Sequence, residues 1–140
     1  MTTTGETPDG FIKHAQEFWD AADLVLNKTE GVSIPAYFLL GRSIELSLKA
    51  FLLREGIPIS KLKANKYGHN LKKLLAEAKS KGLEKHINIA PIESGVIDVL
   101  SYDYAAKKLE YRVTNDTYYL PLLRETSNIA RKLAYELEYH

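Results

Sequence analysis

At 140 residues, with 45% hydrophobic and 26% charged side chains, the chain has the make-up of one globular domain and lacks the apolar-poor signature of disorder. The absence of cysteine excludes a disulfide framework, thiol chemistry and a thiolate metal site, and it fits a reducing compartment, so a cytoplasmic location is expected. The formal net charge of +1 conceals an asymmetry: residues 1–30 hold six acids against two lysines, a balance of −4, whereas residues 61–85 hold eight lysines against Glu77 and Glu84, a balance of +6.

Phe11, Ala15, Phe18, Ala22 and Val25 recur at spacings of four and three and predict a first helix over about 8–28. Thr7 is placed to cap it, with Pro8 at the first helical position, where a missing N–H costs nothing. Gly31 then breaks the chain and Ser33 caps a second helix over about 34–55, with Val32 and Tyr37 spaced as a hydrophobic staple. This helix is apolar nearly all round, which makes it either the centre of a bundle or a surface facing a second subunit. Gly56 and Pro58 end it. It is the most apolar stretch of the chain, yet Arg42, Glu45 and Lys49 interrupt it, and no run is read as a membrane span. The opening MTTTGETPDG has neither a basic nor an apolar region and is not read as a signal peptide.

A lysine-rich loop over about 57–69 ends at Gly68-His69-Asn70, where His69 or Asn70 can cap a short helix over about 70–81 that carries Leu71, Leu74, Leu75 and Ala78 on one face and stops at Gly82. Ile92, Val96, Val99 and Leu100 predict a fourth helix over about 91–107 despite Gly95. Leu109 to Tyr119 reads as irregular, and Leu122, Ile129, Ala130, Leu133 and Leu137 define a last helix running nearly to the end. With no alternating strand pattern and no internal repeat, the expectation is a single all-α domain, an up-and-down bundle of about five helices.

Three polar sets stand out. Arg42, Glu45 and Lys49 share one face of the second helix, and burying such charges unpaired would cost several kcal/mol. They form either a structural ion-pair set or the polar wall of a groove in which Arg42 and Lys49 meet phosphate while Glu45 orients them. His69 lies at a loop-to-helix boundary, as a local cap or as a site residue. Tyr111 and Arg112, ahead of Tyr118 and Tyr119, combine aromatic faces with a guanidinium and suit either base stacking or a place at the core edge. No catalytic constellation, Gly-rich phosphate loop or metal-ligand spacing is present, and no cofactor is implied.

The segments Ala36 to Gly56 (AYFLLGRSIELSLKAFLLREG), Tyr67 to Leu75 (YGHNLKKLL) and Leu109 to Arg112 (LEYR), in that order, resemble the HEPN (higher eukaryote and prokaryote nucleotide-binding) family. The resemblance covers most of the chain. It implies a helical bundle that is usually a homodimer, binds nucleotide or RNA, and is associated with nucleotidyltransferases, toxin-antitoxin pairs or defence systems. It also points to Arg42, Glu45, Lys49, His69, Tyr111 and Arg112 as the binding candidates. The nucleolytic branch of the family carries an Arg followed, after four to six residues, by a His. None of Arg42, Arg54, Arg112, Arg124 and Arg131 has a histidine at those positions, so family-type ribonuclease activity is not expected. The alternatives are an interaction module in which the polar triad is structural, and a ribonuclease with a diverged site.

Overall fold

The structure is a computed structural model that describes residues 7–63, 67–109 and 118–137. Among the described residues six α-helices follow one another: α1 (Pro8–Lys28), α2 (Ile34–Arg54), α3 (Ile59–Leu62), α4 (Leu71–Ser80), α5 (Pro91–Ala105) and α6 (Leu123–Arg131). A 3-10 turn at Leu83–Lys85 follows α4, and a π-helical turn at Lys132–Glu136 continues α6. Among the described residues there is no strand, and no helix is long and apolar enough to cross a membrane.

The long helices begin where short polar side chains satisfy their first amides. Thr7 Oγ1 accepts from the Gly10 N–H at 2.9 Å, Ser33 Oγ from Ala36 at 3.3 Å, and Asn70 Oδ1 from Lys73 at 3.1 Å. Asn70, and not His69, therefore caps α4. At the start of α5 the cap runs the other way, the Glu93 carboxylate accepting from the Ala90 N–H at 2.8 Å and also from Lys132 Nζ at 2.8 Å. Gly82, at φ 95, supplies the left-handed residue after α4.

Helix α2 is the centre of the bundle and packs against every other helix. Leu40, Ile44, Leu48 and Leu52, one turn apart, are completely buried, and each such side chain contributes roughly 1.5–3 kcal/mol of burial free energy. The two longest helices, α1 and α2, are joined by only five residues and lie side by side. Their contact is close because it is made by Ala15 and Ala22 on α1, while the Ser43 hydroxyl donates to the Ala15 carbonyl at 2.7 Å. Opposite, Gly41 lies flat against Tyr104 of α5: a Cβ there would stand 2.6 Å from the ring. The chain end is tied back to α1 by Trp19 Nε1, which donates to Ser127 O at 3.1 Å, and by Gln16 Nε2, which donates to Ala134 O at 2.9 Å.

The structure departs from the sequence expectations in four places. Residues expected as open loop contain α3, a single turn held down by the fully buried Leu62. Val32 is 70% exposed and does not staple the buried Tyr37, whose hydroxyl instead donates to Pro121 O at 2.7 Å. Helix α5 stops at Ala105, and Lys107 takes the left-handed conformation at φ 60. The last helix opens into the π-helical turn one turn after Ile129. Gly95 does not interrupt α5, because it lies on the exposed face with open space where a side chain would be.

Candidate functional site

Glu45 organises the polar face of α2. Its residue surface is 1% exposed, and both carboxylate oxygens are engaged. Oε2 accepts from Lys49 Nζ at 2.8 Å, one turn on, and from Arg42 at 3.2 Å, one turn back. Oε1 accepts from the Tyr104 hydroxyl at 2.6 Å and lies 2.8 Å from His69 Nδ1. Three elements thus converge on one carboxylate: α2 with Arg42 and Lys49, the turn before α4 with His69, and α5 with Tyr104.

Each arrival has a local cause. The 67–70 turn is anchored by the buried Tyr67 and closed by the Asn70 N–H donating to Tyr67 O at 2.7 Å, with Gly68 at φ 36 between them. Asn70 then caps α4, and the Lys72 N–H donates to Ser101 Oγ on α5 at 3.1 Å, which holds His69 at a set distance from both helices. Tyr104 reaches Glu45 because Gly41, one helical turn before Glu45, leaves room for its ring. The His69 and Tyr104 rings meet edge to face at 6.1 Å between centroids.

Burial by itself pushes the Glu45 carboxyl up. The Lys49 charge and the hydrogen bonds of His69, Lys49 and Tyr104 outweigh it and hold the group below its ordinary range, so Glu45 is an anion. The same contact, together with burial, pushes the Tyr104 hydroxyl up, so it remains a donor. The side chains differ in access: that of Lys49 is 10% exposed, whereas those of Arg42 and His69 are 34% and 38% exposed. All three open on a cleft of about 270 Å³, to which Lys63 adds a further cation. Phe11, Leu46, Ile59 and Leu62 form its apolar wall. Arg42 and Lys49 share the one Glu45 carboxylate, which leaves this face of α2 with a surplus of positive charge, and a guanidinium presents donors matched to phosphate or carboxylate.

Arg42, Glu45, Lys49 and His69 are therefore brought together, with His69 facing a residue 24 positions earlier. Tyr111 and Arg112 lie outside the described residues. Tyr104 and Gly41 were not legible as site residues: Tyr104 reads as one more core aromatic, and its hydroxyl partner is 59 residues away. A shallow apolar depression of about 340 Å³, lined among the described residues by Val99, Tyr102 and Tyr119, lies on the outer face of α5. Among the described residues no group of three or more His, Asp or Glu is arranged to hold a metal ion. Compared with protein-family models, curated proteins and solved structures, the chain matches none of them.

Proposed function

We propose that this chain is a HEPN-like, cytoplasmic accessory protein that binds a nucleotide or an RNA segment, and that Arg42, Lys49 and His69 receive the phosphate. The observation that carries this reading is the buried Glu45 anion, which orients these three side chains on one wall of a cleft, beside a face of α2 with surplus positive charge. An ion-pair set with only a structural role has no need of an adjoining cleft, and here two of its members are a third or more exposed within it. The apolar wall provides a surface for the body of a nucleotide, and from the sequence alone Tyr111 with Arg112 is assigned to base stacking. By the same resemblance the protein is a homodimer that regulates a nucleotidyltransferase or a toxin-antitoxin or defence partner. It does so without family-type ribonuclease activity, since no Arg in the sequence has the required histidine.

The test is a thermal melt against a panel of nucleotides and a short RNA. A ligand at 100 times its Kd adds about 2.7 kcal/mol and raises Tm by several degrees. Arg42→Ala, at a partly exposed position, should retain the melting temperature of the free protein and lose the ligand-induced shift. No shift with any ligand would remove the binding reading. Cleavage of a labelled RNA that is lost in His69→Ala would favour the diverged ribonuclease instead.

A second reading, a protein-interaction module, rests on a separate observation: Ile92, Val99 and Tyr102 are exposed along one stripe of α5, with the exposed Tyr119 beside them. It predicts that Tyr102→Glu abolishes self-association or partner capture and leaves nucleotide melts unchanged.

A further inference from the structure

Glu45 sets the chemistry of His69. An ionised carboxylate only accepts hydrogen bonds, so the His69 Nδ1, 2.8 Å from Oε1, carries its hydrogen toward Glu45. In the neutral ring the other nitrogen, Nε2, is then a bare lone pair. Among the described residues nothing bonds to Nε2, and the ring is 38% exposed on the cleft wall. A phosphate oxygen is also a lone-pair donor. It is repelled by the neutral ring and attracted once Nε2 carries a proton.

We infer that the cleft takes up one proton, at His69 Nε2, when it binds a phosphate-bearing ligand, so that affinity falls as pH rises. The inference rests on the reading of this cleft as a phosphate site. The charged and titratable groups facing His69 come from several elements. Helix α2 contributes Glu45, which favours the imidazolium, and Arg42 and Lys49, which oppose it. The segment after α3 contributes Lys63, a third opposing cation. Helix α5 contributes Tyr104, a neutral donor held by Glu45, and α1 contributes the uncharged Phe11. Lys72 and Lys73 begin α4 just beyond the turn and are exposed to solvent. Among the described residues of the free cleft, Glu45 is already bonded to both Arg42 and Lys49. Arrival of an anionic phosphate adds the negative charge that tips His69 to its protonated form, which in turn supplies a third charged donor to the ligand.

The coupling has a defined sign. Protonation is favoured by the ligand, so binding is strongest at acid pH and weakens toward alkaline pH, by up to tenfold per pH unit where one full proton is linked. Titration calorimetry in two buffers of different ionisation enthalpy reads the proton directly. The probes are a nucleoside 5′-monophosphate and a short RNA without terminal phosphates, from about pH 5 to 8, where histidine side chains change charge. His69→Asn keeps an amide donor at the Nδ1 position for Glu45 and cannot titrate, so it subtracts any proton taken up by the probe itself. Net proton uptake on binding within this pH range in the native protein, absent in His69→Asn, is the expected result. Equal uptake in both proteins, or a pH-independent affinity, would overturn this inference and leave the phosphate site standing. Absence of binding by either probe at every pH would overturn both.

Discussion

Removal of the Glu45 carboxylate tests the organisation of the site most directly. In Glu45→Ala four donors lose their acceptor, but they do not lose it equally. Arg42 and His69 are partly exposed, turn to water, and contribute little to the loss. Lys49, whose side chain is 10% exposed, and the hydroxyl of Tyr104, a residue 2% exposed, are left buried without a partner. Breaking a buried ion pair from one side costs about 3–5 kcal/mol, a large part of the roughly 5–15 kcal/mol that stabilises a typical domain. Urea denaturation at neutral pH should show that loss, with Tm lowered by roughly 10 °C for a chain of this size. The control is the double variant Glu45→Leu/Lys49→Met, which removes both charges and fills their space with apolar atoms. It should be more stable than Glu45→Ala, because no uncompensated charge remains. A loss of less than about 1 kcal/mol in Glu45→Ala, or strict additivity of the two single changes, would refute the assignment of Glu45 as the buried hub.

Three further outcomes follow from individual positions. Gly41→Ala should destabilise by about 1–3 kcal/mol, although alanine is the better helix former, because its Cβ would stand 2.6 Å from the Tyr104 ring; an unchanged melting curve would show that the ring gives way freely. Glu45 is held below the ordinary carboxylate range in the folded chain, so its contribution is present above that range and is lost as pH falls through the folded value. The stability gap between the native protein and Glu45→Gln should therefore narrow as pH falls below the ordinary carboxylate range and close beneath the folded value, and a gap that stays constant would contradict the shift. Lys107→Gly should raise stability by roughly 0.5–1 kcal/mol by relieving a left-handed backbone at φ 60, and a lowered Tm would show that the lysine side chain contributes more than its backbone costs.

Much of this architecture is written locally. A helix start needs only a side-chain acceptor three residues before the amide it serves, and Thr7, Ser33 and Asn70 each fill that role as their positions predict. Periodicity likewise places Leu40, Ile44, Leu48 and Leu52 on one buried stripe, and the i, i+3, i+7 spacing of Arg42, Glu45 and Lys49 is sufficient to pair them. The short α3 escaped such reading because one turn carries too little pattern. It is held by burial of Leu62 and not by helix propensity.

What the sequence by itself determined is therefore the helical class, most helix limits and the polar face of α2. Only the tertiary structure decided what that face does. His69 meets Glu45 across 24 residues and Tyr104 meets it across 59, and both depend on how closely α2, α4 and α5 pack. That packing is set by small residues such as Gly41, whose importance lies in what its missing side chain admits. Spacing along a chain encodes contacts within a turn or two of helix. The angle and distance at which separate helices meet depend on all the side chains between them at once, and so the convergence of three elements on one buried carboxylate appears only when the chain is folded.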